Sequence, residues 1–289
     1  MKKILFTIIL QTLLLINANA QWVQTNGPFG GNVNCLAVNG TDIYAGTSRG
    51  VYLSSNTGSS WTATGMPVNI ITSIVCSGSN VFAGTNNGVY LSSNNGSSWA
   101  LVNTGLTNTF VQSLAVSGSD VFVGTNDGLF FSSNNGNNWT SVNIGLTNTN
   151  VTCIVVNGSN IFVGTYGGGV FLSSNNGASW NSVNNGLNSS TINSLAISGS
   201  NIYAATSSAG VFLSSNNGSS WTAINTGLPT ATTTCLAING SNILVGTPLG
   251  VYLSTNNGSS WSAAGLLDRI VYSFAVLGNT ILAGTNVEG

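Results

Sequence analysis

The chain has 289 residues, 42% of them hydrophobic and 3% charged, with no histidine at all. An ordinary soluble domain carries about 25% charged residues, so four Lys+Arg and five Asp+Glu are far below the norm. A Ser-His-Asp triad and histidine metal ligation are excluded, and the few cations cannot neutralise a nucleic-acid backbone. No metal-ligand set or cofactor motif stands in the sequence.

The amino terminus reads as a targeting segment. Lys2 and Lys3 precede a mostly apolar run at 4–16, and Ala18-Asn19-Ala20 supplies a small-residue cleavage site. This is the signal-peptide pattern. The run is shorter than the roughly 20 residues a membrane-spanning helix needs. Cleavage after Ala20 is expected, giving a secreted or cell-surface protein that begins at Gln21 and has no membrane span.

From there a repeat explains the composition. Trp recurs at 22, 61, 99, 139, 180, 221 and 261, in steps of 38 to 41 residues. One unit, 111–145, breaks into four short pieces: Ser113-Leu114-Ala115-Val116, Val121-Phe122-Val123-Gly124-Thr125, Leu129-Phe130-Phe131-Ser132, and a piece starting at Trp139. Each is apolar or aromatic and bounded by Gly, Asn or Ser, which are strand and turn signals. Gly118-Ser119-Asp120, Asn126-Asp127-Gly128 and Asn134-Asn135-Gly136 separate the pieces as hairpin loops, since Gly and Asn tolerate positive φ. A parallel β-helix is the rival architecture, but it does not need three hairpin turns per repeat. Four antiparallel strands per unit of about 40 residues is the blade of a β-propeller.

Six full units are predicted at 33–65, 71–105, 111–145, 151–186, 192–227 and 233–265. Residues 270–289 supply only the first two pieces of a seventh, and 21–25, carrying Trp22, resembles a detached fourth piece. The expectation is an all-β, seven-bladed propeller, one domain over 21–289, with its last blade incomplete. The sequence stops at Glu288-Gly289, where every earlier repeat runs into a third strand. This reading takes it as part of a longer protein, with a sorting domain possible beyond.

The third hairpin carries a family resemblance. It reads SSNTGSSW at 54–61, SSNNGSSW at 92–99 and SSNNGNNW at 132–139, with three more copies ending at Trp180, Trp221 and Trp261. This resembles the Asp-box (BNR) repeat, S-x-D-x-G-x-x-W, of sialidase-like propellers. The Gly and Trp match throughout: Gly58 and Trp61, Gly96 and Trp99, Gly136 and Trp139, Gly177 and Trp180, Gly218 and Trp221, Gly258 and Trp261. The Asp is replaced in every copy, by Asn56, Asn94, Asn134, Asn175, Asn216 and Asn256. Asn keeps a carbonyl oxygen for the turn-bracing bonds. In the resembled family this motif is structural and lies away from the usual active site. Sialidases of that family use three arginines and a Tyr nucleophile, whereas the chain beyond the signal peptide holds only Arg49 and Arg269. Xyloglucanases with Asp boxes use a cleft between two propellers, and related photosystem assembly factors depend on a basic patch. Neither feature is present.

The remaining candidates are few. Cys35, Cys153 and Cys235 share one repeat position with Ser73, Ser113, Ser194 and Ser273, and Cys76 shares one with Val38 and Val116. Equivalent positions on separate blades are too far apart for a disulfide, so free, packed thiols are expected. Asp42, Asp120 and Asp127 sit where other repeats carry turn Asn. Asp268, beside Arg269, lies outside the repeat. Together Asp127 and Asp268 form the only carboxylate pair offered for glycoside hydrolysis. N-x-S/T triplets such as Asn95-Gly96-Ser97 arise from the turn repeat, and Gly167-Gly168-Gly169 lacks the Lys and helix of a phosphate cradle. Tyr44, Phe82, Phe122, Phe162 and Tyr203 recur regularly and are assigned to the core.

What varies between repeats is the second turn and the inter-blade loop, which should share one face. Arg49, Phe110, Asp127, Tyr166, Asp268 and Arg269 are the ligand-binding candidates there, because loops on a rigid scaffold are where binding residues concentrate. The expected function is a non-catalytic binding or scaffold module for a glycan or protein, monomeric if the ring closes. A glycoside hydrolase and a purely structural adhesin repeat are the alternatives.

Overall fold

The computed structural model describes residues 22–28 and 31–286. The predicted signal peptide, Gln21 and Glu288 lie outside the described residues.

The repeat folds as the turn chemistry predicts. Blade 1 runs Val33–Asn39, Asp42–Thr47, Gly50–Ser54 and Thr62–Ala63, each strand antiparallel to the one before it. Five further four-stranded blades with the same strand order occupy 71–101, 111–141, 151–182, 192–223 and 235–265. Each second strand is the buried centre of its blade, with five successive buried residues after a half-buried start. Thr47 at its end closes the second turn by donating its hydroxyl to the Gly50 carbonyl at 2.9 Å, and all six blades repeat the bond.

The described residues make six blades, not the seven expected from the repeat count. After blade 6 the chain forms a two-stranded hairpin, Val271–Leu277 and Thr280–Thr285, packed against the first strands of both blade 6 and blade 1. The ring therefore closes through two strands where a full blade would supply four. Residues 22–28 were read as a detached outer strand, but they form no ladder with the hairpin. With no third strand between them, the outer segment has no neighbour close enough for backbone pairing. Trp22 docks without it.

The third hairpin is held by its own side chains. In blade 1 the Ser54 hydroxyl accepts the Gly58 N–H at 2.9 Å and donates to Asn56 Oδ1 at 3.0 Å. Asn56 Oδ1 also accepts the Ser60 N–H at 2.9 Å, while Asn56 Nδ2 donates to Ser60 Oγ. The following residue takes a left-handed φ of 54–56° in every blade, and it is Asn in five of them. Asn tolerates that region better than most residues, which accounts for the second Asn of the recurring Asn-Asn-Gly.

The core lies between blades rather than within them. The indole N–H of Trp139 donates to the Val102 carbonyl of blade 2 at 2.7 Å, and Trp180, Trp221 and Trp261 reach Val142, Val183 and Ile224 in the same way. Trp99 uses the Thr64 hydroxyl instead. Trp22 donates to Ala264 of blade 6 at 2.5 Å, so it stands where a seventh repeat would place its tryptophan. The aromatic of each second strand slides under the next blade's third turn. A side chain added at Gly96, Gly136, Gly177 or Gly218 would press on Tyr44, Phe82, Phe122 or Phe162. These aromatics are 2% exposed or less, as is Tyr203, in agreement with their assignment to the core.

A substitution pair tests the turn. Asn216→Asp keeps both acceptor bonds, from Ser214 and from the Ser220 N–H, and should leave the melting temperature nearly unchanged. Asn216→Leu removes them and should cost about 1–3 kcal/mol, read from denaturant midpoints of the two variants.

Candidate functional site

The second turns and the inter-blade loops share one face and are hydrogen-bonded to each other. Gly128 donates to Thr149 at 2.7 Å, Tyr166 to Asn150 at 2.9 Å and Gly210 to Ala231 at 2.7 Å. Each turn is thus fixed by the loop leaving its own blade.

At the centre of this face, the second residue of each first strand bonds to the next blade. Asn34 donates to the Ile71 carbonyl at 3.0 Å, Thr72 to Val111 at 2.8 Å, Thr152 to Ile192 at 2.5 Å and Asn193 to Thr233 at 2.7 Å. Gln112 reaches the Asn150 side chain at 2.6 Å, and Thr234 donates to the Val271 carbonyl. The position in the terminal hairpin is Tyr272, which is exposed. Single-sequence reading missed this girdle, because Asn, Thr and Gln share only the ability to donate.

The candidate residues distribute unevenly. Phe110, Asp127 and Tyr166 lie on consecutive elements around blades 3 and 4. The side chains of Phe110 and Tyr166 are 42% and 63% exposed. The loop at 147–150 links the last two, since Thr149 Oγ1 donates to Asp127 at 3.3 Å while Asn150 accepts from Tyr166. Arg49 stands apart on the second turn of blade 1. Asp268, at a left-handed φ of 62°, and Arg269 form a turn closed by the Arg269 N–H on the Leu266 carbonyl. Asp127 and Asp268 belong to non-adjacent positions in the ring, so the fold does not assemble them as a facing carboxylate pair. Exposed apolar side chains also gather on this face at Val68, Ile70, Leu249 and Leu267.

The four cysteines are free. Cys35, Cys153 and Cys235 each sit against a glycine of the neighbouring strand, and a Cβ added at Gly46, Gly164 or Gly246 would lie 2.4–2.5 Å from the sulfur. Burial pushes all four thiols up to about 12. Among the described residues no cluster of three or more Cys, Asp or Glu could hold a metal ion. No described helix is long and apolar enough to cross a membrane.

A second concavity, not anticipated from sequence, lies at the seam. It is a groove of about 680 Å³ between residues 22–28 and the terminal hairpin, with Trp61 and Arg269 in its wall.

A family model described as the DUF6242 beta propeller domain matches residues 81–182 and 146–274, which together span most of the ring. The chain belongs to the DUF6242 beta propeller domain family. No curated protein matches it. Among solved structures, the extracellular domain of the putative one component system BT4673 from B. thetaiotaomicron is similar, at a TM-score of 0.77 and 20% identity, over 91% of this chain and 38% of that one. The GH74 xyloglucanase from Xanthomonas campestris aligns at 0.72 and 17% identity, over 89% of this chain and 51% of that one. YCF48 from Cyanidioschyzon merolae aligns at 0.74 and 12% identity, over 93% and 97%. The DUF6242 chain thus spans well under two thirds of the first two, and all three likenesses concern the fold.

The thiols give a pH test of the DUF6242 propeller. Their folded pKa values lie above the unfolded value near 9, so the folded state holds these protons more tightly. Stability should be intact below about pH 9 and fall as pH rises toward 12. Cys235→Ser, which places the residue of Ser194 and Ser273 at this position, should still fold and should lose less stability over that range. Urea midpoints between pH 8 and 11 measure both.

Proposed function

We propose that this DUF6242 propeller is an exported, non-catalytic binding module of the Asp-box, sialidase-like kind, and that it takes a neutral glycan on its second-turn face. The supporting observation is the exposure of Phe110 and Tyr166 beside turns whose backbone is already fixed by internal hydrogen bonds. Flat aromatic faces stack on sugar rings, and a surface rich in Asn, Ser and Thr supplies donors and acceptors without charge. A face so poor in cations disfavours polyanions. Export rests on the Lys2, Lys3 and Ala18-Asn19-Ala20 pattern, and the extracellular domain of BT4673 shows that the fold serves outside the cell in that protein.

The non-catalytic part of the reading rests on chemistry. Hydrolysis of a glycoside by the common route needs two carboxylates flanking one bond, and Asp127 and Asp268 stand on separate parts of the ring. With Arg49 and Arg269 as the only arginines of the face, a three-arginine carboxylate clamp cannot form. The protein should release no sialic acid from a standard sialoside and no reducing sugar from soluble xyloglucan. Measurable turnover of either would reverse the non-catalytic reading.

The binding experiment is a screen of neutral soluble polysaccharides by affinity electrophoresis, comparing the parent with Phe110→Ala and Tyr166→Ala. Both side chains are largely exposed, so the melting temperature should hold. Binding should weaken about tenfold or more for either variant, the scale of one lost base- or sugar-stacking aromatic. Retention unchanged in both variants would remove this face from the proposal. Amino-terminal sequencing of exported protein should begin at Gln21, and a retained Met1 on the soluble exported form would contradict the targeting reading.

A further inference from the structure

The terminal hairpin is the only sheet of the described residues with two strands. Its second strand, Thr280–Thr285, pairs with Val271–Leu277 on one edge. In every blade the equivalent strand is covered on its other edge by a third strand, such as Gly50–Ser54 or Gly128–Ser132. Burial records the difference. Ile43, Val81, Val121, Ile161, Ile202 and Ile243 are 1% exposed or less, whereas the equivalent Ile281 is only half-buried. Ala283 is likewise half-buried where Ala45, Ala83 and Val123 are fully enclosed.

The vacant position is the groove at the seam. Ile281, Leu282 and Ala283 form one wall, and Trp22, Thr25 and Trp61 form the other. Trp22 already holds the far wall at the place an outer strand would occupy, through its bond to Ala264. Trp61, which borders the groove, has its indole N–H buried without a partner, although its counterparts in blades 2 to 6 all have one. The gap is therefore shaped on both sides, and one polar group in its wall is left unsatisfied.

We propose that this groove is an acceptor site for an extended peptide strand from another polypeptide, added antiparallel to Thr280–Thr285. The six blades specify its chemistry. Strand addition takes its affinity from main-chain hydrogen bonds and its specificity from alternate side chains. The internal register Thr47 to Gly50, Gly46 to Val51, Ala45 to Tyr52, Tyr44 to Leu53 and Ile43 to Ser54 transfers directly. It places Gly opposite Thr285, a β-branched residue opposite Gly284, an aromatic opposite Ala283, Leu opposite Leu282 and Ser opposite Ile281. The occupant is thus a neutral strand of the type Gly-Val-Tyr-Leu-Ser. A charged side chain at the second or fourth position would be buried without a partner, which is costly.

The test uses the full exported chain and a capped synthetic peptide, Gly-Val-Tyr-Leu-Ser-Ser. The control peptide carries Pro in place of Leu and so lacks one ladder N–H. The first peptide should bind one to one, raise the melting temperature and slow amide exchange at 280–285 by about tenfold or more, the effect of about one net hydrogen bond. Exchange at Asn80–Thr85, the covered counterpart in blade 2, should not change. The Pro peptide should do none of this. Equal effects from both peptides, or unchanged exchange at 280–285, would overturn the proposal. Sedimentation reads the remaining case: an oligomer that the peptide fails to dissociate would mean that a second copy holds the edge, and would equally overturn it.

Discussion

The ring depends on one contact made repeatedly: a tryptophan indole that donates to the backbone of the blade before it. A four-stranded blade buries one face of each sheet only if another blade covers it. The indole fixes that cover laterally and axially at once. Its ring fills the space under the third turn, and its N–H is a directional bond to a carbonyl at the outer edge of the neighbour, for instance Trp180 to Val142. Close approach is the consequence. A Cβ added at Gly105, Gly145, Gly186 or Gly227 would lie 2.2 Å from the next tryptophan's carbonyl oxygen. Only a residue without a side chain, free to adopt φ of 85–93°, allows the blades to meet at this distance. Gly and Trp are therefore two halves of one joint, spaced by the period of the repeat.

That joint leaves one face free to change. The third turns are occupied by blade contacts, and the outer strands are only two residues long in five of the blades. The second turns and inter-blade loops are anchored by backbone bonds, which any residue can make. Arg49, Asp127, Tyr166 and Leu249 could therefore diverge without disturbing the ring. The girdle of Asn34, Thr72, Gln112, Thr152, Asn193 and Thr234 tolerates changes of identity only among donors. Variation between repeats thus carries information on this face and little elsewhere.

The strands, the turns and the order of sheets were legible in the sequence because each rests on local chemistry. Period-two apolar runs make the strands, Gly and Asn make the turns, and the interval between tryptophans sets the blade length. The second Asn of Asn-Asn-Gly was visible too, though its left-handed backbone was not inferred. What stayed hidden depends on pairing across the ring. Trp22 reads as part of a strand, yet it docks by its indole while residues 22–28 join no ladder, because no third strand stands between them and the hairpin. Seven tryptophans suggested seven blades, whereas a blade also needs its third strand, and six copies are present. The candidate residues landed on the predicted face, but sequence alone could not say that Phe110, Asp127 and Tyr166 would be neighbours and that Arg269 would border a groove instead.

The scarcity of charge is also a product of the architecture. A residue repeated once per blade is placed on one rim of the ring as many times as there are blades. Six aspartates at the third turns would gather six like charges on a single face, within a few screening lengths of each other, and that self-repulsion opposes a compact ring. Asn supplies the same acceptor to the Ser hydroxyl and the backbone N–H, adds a donor to the Ser at the turn's end, and carries no charge. The same reasoning applies to the girdle, where a Lys or Glu in place of Thr or Asn would be repeated toward the centre of the ring. Neutral hydrogen-bonding residues are thus favoured at every repeated position. The few charges of the described chain fall on turns and the one atypical loop, where the repeat does not multiply them.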